Sequence, residues 1–237
     1  DGDKDGGKES DKKKDGLVAS VKDGATDVDP SKPVTVETTG KLKSVTMTNE
    51  LGVEVKEKLS KDAKTWSTAE DLGYNHTYSI VASDVDGNKK NLSFSTPQAA
   101  GVAEVSLTPI PDSEVGVGQV IGVNFGVPIT DRKAAEKTIT VTTNPEVKGA
   151  FYWVNNQEVR WRPKDYWEPG TKVEVKVDQY GKDLGGGTYG GENAKTNFTI
   201  GDRTVAIIDN ATKTMKVYKN KELLRTIPVS LGRDYQY

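Results

Sequence analysis

From Leu17 onward the chain alternates apolar and polar positions in short runs, and Gly, Pro, Asn and Asp separate the runs. Val34 to Glu37 is one run, opened by Pro33. Leu42 to Thr48 is another, with Val45 and Met47 on one face. Trp66, then Tyr78 to Ala82, then Leu92 to Phe94 follow, and Asp86-Gly87 between the last two is a tight-hairpin signal. A period of two marks strands with one buried face, and strands recurring about every 8–12 residues mark a β-sandwich. No segment sustains a helical period. The best helical stretch, Asp131 to Lys137, predicts one or two turns.

The aromatic positions sharpen this pattern. Between Thr143 and Thr171 lie three of the four tryptophans, Trp153, Trp161 and Trp167. Phe151 and Trp153 alternate with Tyr152 and Val154, Asn155-Asn156 turns the chain, and Val159 and Trp161 alternate with Arg160 and Arg162. This predicts a β-hairpin heavy with aromatics. The pattern is also repeated. Trp66 is followed by Leu72 and then Tyr78, Ile80 and Ala82; Trp161 is followed by Trp167 and then Val173, Val175 and Val177. Both units end in a similar strand, Ser93 to Thr96 and Asn197 to Ile200. The offset grows from 95 to 104 residues between these landmarks, which a Gly-rich insert at Gly185 to Gly191 accounts for. Two tandem sandwiches, 17–98 and 101–201, are expected. After Asp202, alternating runs at Val205–Ile207, Met215–Val217 and Leu223–Val229 predict a three-stranded meander that is marginal alone.

Composition changes the picture at one end. Residues 1–16 hold eleven charges, four glycines and no apolar residue, so they are expected to form a disordered tether. The net charge of −2, with both signs interspersed, gives no electrostatic footprint for nucleic acid. No run approaches the ~20 apolar residues of a membrane span. Zero cysteines exclude disulfides and thiolate metal sites.

Candidate chemistry is sparse. The tryptophans either form a stacking platform for sugars or, with Trp161 and Trp153 pointing inward, fill a core; the core reading is favoured, with Tyr152 and Tyr166 as the exposed aromatics. Leu72 to Tyr78 has the look of a tyrosine corner. His76, the one histidine, reads as a solvent-facing strand residue, since no cysteine and no suitably placed serine stands for it to activate. Asp84, Asp86 and Asn88 faintly suggest a calcium loop, but the glycine comes too early and Ser95 stands where a bidentate glutamate belongs, so a hairpin turn is expected. Asp27 and Asp29, before Pro30, are similarly weak candidates. Gly116, Gly118 and Gly122 have the wrong spacing for a dinucleotide fingerprint, and the Gly185–Gly191 insert lacks the Lys-Ser/Thr of a phosphate loop. The expected set of catalytic, cofactor-binding and metal-binding residues is therefore empty, and no cofactor is expected.

Longer strings carry more. AAEKTITVTTNP, the hairpin itself and VDQYGKDLGGGTYGGENAKTNFTIGD closely resemble the second immunoglobulin-like domain of the L,D-transpeptidases of mycobacteria and related actinobacteria. The resemblance runs, more loosely at the front, from about Leu17 to Tyr237. It implies an all-β chain: two tandem immunoglobulin-like sandwiches, then, over 202–237, the first strands of a YkuD-type catalytic domain. It implies a parent enzyme that forms 3→3 cross-links in peptidoglycan, outside the cytoplasm, with a possible lipid anchor upstream of Asp1. That family's nucleophile is the cysteine of a Ser-His-Gly-Cys motif, and a second histidine lies upstream of it. These 237 residues contain no cysteine, so no catalytic role transfers to any position and the stretch is expected to be an inactive accessory region. A non-enzymatic surface adhesin or wall-binding module is the alternative, because sandwiches host many functions. The sequence leaves the oligomeric state open.

Overall fold

A computed structural model describes residues 16–232. The expected tether falls on residues 1–16, all but Gly16 of which lie outside the described residues, as does 233–237 at the other end. The chain divides into two compact units, one ending at Ala99 and one beginning at Ala100.

The first unit holds strands β1 (Leu17–Ala19), β2 (Thr35–Thr38), β3 (Leu42–Asn49), β4 (Glu57–Leu59), β5 (Thr65–Thr68), β6 (Thr77–Asp84) and β7 (Lys89–Ser95). They form two sheets, in the orders β1-β2-β5-β4 and β3-β6-β7. This is the strand order of an immunoglobulin constant-type sandwich. Val36, Met47, Trp66, Ile80 and Phe94 meet in its core. Leu42 and Val45 both point inward although three positions apart, because a bulge between Leu42 and Ser44 absorbs the odd residue. The tyrosine corner is present: the Gly73 N–H donates to Tyr78 Oη at 2.9 Å. The Tyr78 ring is buried and stacks on Phe94 at 5.7 Å, and burial pushes its phenol above the ordinary range.

The β6–β7 turn is organised by a carboxylate. Asp84 is 1% exposed. Its Oδ1 accepts from the N–H groups of Asp86 and Asn88 at 3.0 and 2.8 Å, and its Oδ2 accepts from Asn88 Nδ2 at 2.7 Å. Thr38 Oγ1 adds a long contact at 3.4 Å. Both oxygens are spent on the hairpin. The hydrogen bond from the Asn88 side chain, then those from backbone N–H groups, holds this acid below the usual carboxylate range.

The second unit opens with β8 (Gly101–Ala103), β9 (Ser106–Thr108), β10 (Ser113–Val115) and β11 (Ile121–Asn124). Helix α1 (Arg132–Lys137) follows, capped by Asp131, whose Oδ1 accepts from the Ala134 N–H at 2.9 Å. Then come β12 (Ile139–Asn144), β13 (Gly149–Trp153), β14 (Glu158–Pro163), β15 (Lys172–Val177), β16 (Thr188–Gly190) and β17 (Ala194–Ile200). The sheets are β9-β11-β14-β13 and β10-β17-β15-β12, with β8 and β16 paired separately in parallel. Trp66 on β5 and Trp161 on β14 hold equivalent strands of their four-stranded sheets. Leu72 and Trp167 are both buried after them. The longer offset is placed between β15 and β17, where residues 178–193 replace the four-residue turn 85–88 of the first unit.

That insert is packed, not loose. Gln179 is fully buried and its Nε2 donates to the carbonyls of Ala103 and Glu192 at 2.9 and 3.0 Å. Gly190 lies so close to the Gln179 carbonyl that no side chain fits. Gly185, Gly186 and Gly187 all have positive φ and carry the loop past Thr130 and Ala100.

Strands β18 (Thr204–Asp209), β19 (Thr214–Lys219) and β20 (Glu222–Pro228) make the predicted meander. Its second turn has positive φ at both Asn220 and Lys221, as a two-residue type I′ hairpin requires. Register puts Val205, Tyr218 and Leu223 on one face and Ile208, Met215 and Ile227 on the other. Ile207 and Ile208, neighbours that point to opposite faces, are 56% and 54% exposed.

Two outcomes follow from this packing. Trp161→Ala is expected to cost about 3–5 kcal/mol, the range for a large aromatic truncated in a core, and Trp161 is expected to resist a neutral fluorescence quencher; quenching equal to that of free tryptophan would refute its burial. Asp84 has a depressed folded pKa, so its contribution is present above the unfolded-state value and is lost as pH falls through the folded one. Urea unfolding of the Asp84→Asn variant should therefore show a lower stability near neutrality and a shallower loss on acidification than the parent; parallel curves would remove Asp84 from the account.

Candidate binding surface on the second unit

The outer face of the β9-β11-β14-β13 sheet gathers the polar side chains. Because Val159 and Trp161 point inward, Glu158, Arg160 and Arg162 point outward. Register then sets Tyr152 beside Arg160, Arg160 beside Gly122, and Gly122 beside Thr108. The next row is Glu158, Asn124 and Ser106. Gly122 has no side chain, so a trough of about 350 Å3 opens over the sheet between Arg160 and Thr108. Arg160 Nε donates to Glu158 Oε1 at 2.7 Å. That bond first, and the Tyr152 hydroxyl second, raises the Arg160 guanidinium further above its ordinary value. Hydroxyls, an amide, a carboxylate and a fixed guanidinium suit hydrogen bonding to a polar ligand. The set contains no paired nucleophile and base.

The aromatics divide. Trp161 is 7% exposed and lies 5.6 Å from Trp167, which meets Phe198 edge-on at 6.3 Å. Trp167 Nε1 donates to the Gln119 carbonyl at 2.7 Å. The core reading holds for both. Trp153 also points inward, opposite Val159, and packs against the core, but its ring is only partly buried. It is stacked on Phe125 at 6.1 Å, covered by the Arg132 guanidinium at 5.0 Å, and bonded through Nε1 to Glu136 Oε1 at 2.9 Å. Helix α1 supplies both charged partners. Glu136 is held below the usual carboxylate range by Lys133 and Trp153, against an opposing effect of burial. Tyr152 and Tyr166 are exposed as expected, and Arg203 lies over the Tyr166 ring at 5.8 Å.

The remaining candidates scatter. His76 lies just before β6 and not in a strand; its side chain stays 32% exposed, as expected, and its Nδ1 lies 2.8 Å from Glu50 Oε1. Glu50 Oε2 accepts from the Thr77 N–H at 3.1 Å. A backbone bond at Glu50 itself, then the His76 ring, keeps Glu50 below the usual carboxylate range. Asp29 caps a turn through Ser31, and Asp27 has a positive φ. Gly116 closes a turn with the Gln119 N–H, Gly118 meets the Tyr166 ring, and Gly122 sits in a strand. Among the described residues no group of three or more His, Cys, Asp or Glu is placed to hold a metal. No helix of the described residues is long and apolar enough to cross a membrane.

Comparison with known proteins adds a frame. The bacterial Ig domain family model matches residues 25–183. The chain is 45% identical to L,D-transpeptidase 2 of Mycobacterium tuberculosis (strain CDC 1551 / Oshkosh) over 222 residues, which are 92% of this chain and 54% of that protein. It is 31% identical to L,D-transpeptidase 5 of Mycobacterium tuberculosis (strain ATCC 25618 / H37Rv) over 219 residues, 89% of this chain and 49% of that one. A solved structure of the L,D-transpeptidase LdtMt1 in complex with imipenem is 34% identical, covers 56% of this chain and 55% of its own, and has a TM-score of 0.47. The chain spans about half the length of the curated relatives it matches.

Proposed function

The chain belongs to the bacterial Ig domain family, and from that premise we propose that it is the N-terminal accessory region of a peptidoglycan L,D-transpeptidase. The observation that carries this reading is 45% identity extending over 92% of the chain. Domains are assigned as a charged tether over 1–16, sandwiches over 17–98 and 101–201, and the opening strands of a catalytic domain over 202–237. The two sandwiches act as spacers that carry a catalytic head into the wall. The whole protein works outside the cytoplasm, held by a lipid anchor upstream of Asp1 or secreted.

The meander supports this division on physical grounds. Three strands with apolar side chains on both faces cannot bury either face alone. Their place is the interior of a larger domain. The chemistry assigned to that domain is acyl transfer. A cysteine thiolate, with histidine as base, attacks the carbonyl of a donor stem peptide, and the terminal residue leaves. The amine of an acceptor peptide then attacks the thioester and frees the thiolate. None of the groups in residues 1–237 supplies a thiol.

Two experiments test this. Intact-mass analysis after incubation with a carbapenem should show no adduct on the 237-residue chain. A chain extended through the downstream reading frame should gain one drug mass, and that frame should encode Ser-His-Gly-Cys. An adduct on the shorter chain, or a downstream frame lacking the motif, would overturn the reading. Separately, amide exchange at 204–228 should be faster than in β14 and β15 when the 237-residue chain is studied alone, and should slow in the extended chain. Equal protection of the meander and the sandwich strands in a dilute sample of the shorter chain would contradict the incomplete-domain assignment.

A further inference from the structure

Strand β13 is the outermost strand of its sheet. Among the described residues no backbone hydrogen bond reaches its free side. Edge strands are ordinarily guarded by charge, proline or a bulge, since an open ladder recruits other chains. The β13 sequence, Gly149-Ala150-Phe151-Tyr152-Trp153, has no charge and no proline, and its register with β14 is unbroken.

The charges stand behind and below this edge instead. Arg160 and Arg162 project at alternate positions of β14, and Lys164 follows in the bend just after the strand. The Lys164 N–H donates to the Lys148 carbonyl at 3.3 Å, which sets the two lysines opposite each other. Like charges directly across a ladder are destabilising. Arg160 is matched by Glu158. Among the described residues no ion pair involves Lys148, Arg162 or Lys164. A groove of about 630 Å3 lies along the edge, lined by these three cations together with Ala150, Phe151 and Tyr152.

We propose that the free edge of β13 is a docking site for an extended acidic peptide. The peptide adds a fifth strand to the sheet through main-chain hydrogen bonds and lays carboxylates over Arg162, Lys164 and Lys148. Spacing supports a peptide. Alternate side chains of an extended strand stand about 7 Å apart, so carboxylates at alternate positions can follow cations two residues apart along one groove, as Arg162 and Lys164 are. The uncharged edge supports it too, because a glycan or a phosphate polymer has no N–H ladder to continue the sheet. The proposal concerns a surface distinct from the transpeptidase assignment and does not depend on it.

The test uses the full 237-residue chain and a labelled eight-residue peptide of alternating Glu and Thr, titrated by fluorescence anisotropy at low salt. Saturable binding is expected, with the amide resonances of Gly149–Trp153 shifting. The Arg162→Gln/Lys164→Gln double variant should bind at least about tenfold more weakly, whereas Lys58→Gln, on β4 of the first unit, should bind as the parent does. A peptide with Pro in place of each Thr keeps the charge but loses half its N–H donors, and should also bind at least about tenfold more weakly. The comparison of the two peptides on the parent chain stands even if the double variant fails to fold. Equal binding of the two peptides would overturn the proposal, since the cations would then attract any anion without using the edge. So would parent-like affinity in a double variant with unchanged circular dichroism, absence of saturation by about 1 mM peptide, or stronger binding of an acidic oligosaccharide of equal charge.

Discussion

The burial of Trp161 against Trp167 and Phe198 is the interaction on which the rest of the second unit depends. A strand alternates its side chains, so fixing one inward residue assigns every neighbour. With Trp161 inside, Val159 and Pro163 are inside, and Glu158, Arg160 and Arg162 are outside. Trp161 is also the residue through which β14 aligns with Ile121 on one side and Phe151 on the other. A slip of one residue would push two arginines into an apolar core, at a cost far above what any loop contact offsets. The polar trough and the cationic groove are thus set by the core, not assembled separately. Gly149 shows how tight the arrangement is: a Cβ there would meet the Trp161 ring and the Arg162 carbonyl.

The two units solve the same closure problem with opposite charge economies. In each, the last two core strands must be joined without stranding backbone groups. The first unit uses a four-residue turn and a buried carboxylate whose oxygens accept from that turn. The second uses a sixteen-residue insert and a neutral buried amide, Gln179, which donates to two carbonyls that the insert brings within reach. The first device is sensitive to acid because its acceptor titrates. The second is insensitive to acid but intolerant of any side chain at Gly190. Gly-rich composition in this loop reflects close packing against Gln179, Thr130 and Ala100, not freedom of movement.

Much of this was legible in the residues. The period of two located the main strands, the spacing of Trp66 and Trp161 exposed the repeat, and Asp131 to Lys137 gave the helix, which starts at Arg132 with Asp131 as its cap. The exposed tyrosines and the tyrosine corner were legible for the same reason: local pattern decides them. What was hidden depends on contacts between distant residues. Trp153 points inward as alternation requires, but its partners were hidden: Arg132 and Glu136 from α1 meet its ring and its Nε1. His76 is exposed as it looked, but its partner was hidden: β3 pairs with β6 and so delivers Glu50, 26 residues earlier, to its ring. Leu42 was out of phase with Val45 until a bulge restored it. The trough could not be read at all, because Gly122 becomes its floor only when β9, β11 and β14 are placed side by side.

The meander obeys a different logic from the sandwiches that precede it. Its local geometry is complete: Asn220 and Lys221 adopt the left-handed turn, and the Asn220 side chain ties back to the Arg203 N–H and to Asp202. Lys219 holds Asp202 at 2.8 Å, and that bond first keeps the acid below its ordinary range. These are surface contacts, each worth little. Toward the sandwich, the Arg203–Tyr166 stack adds a cation–π contact of modest value. Against them stand apolar side chains on both faces of the sheet. Hydrogen bonding therefore specifies the shape of this element and adds little to its stability; burial supplies that in the four-stranded sheets of the sandwiches. An element with its turns and register in place and both faces uncovered is stable to the extent that something else covers it, so its stability resides in the contacts made by its faces.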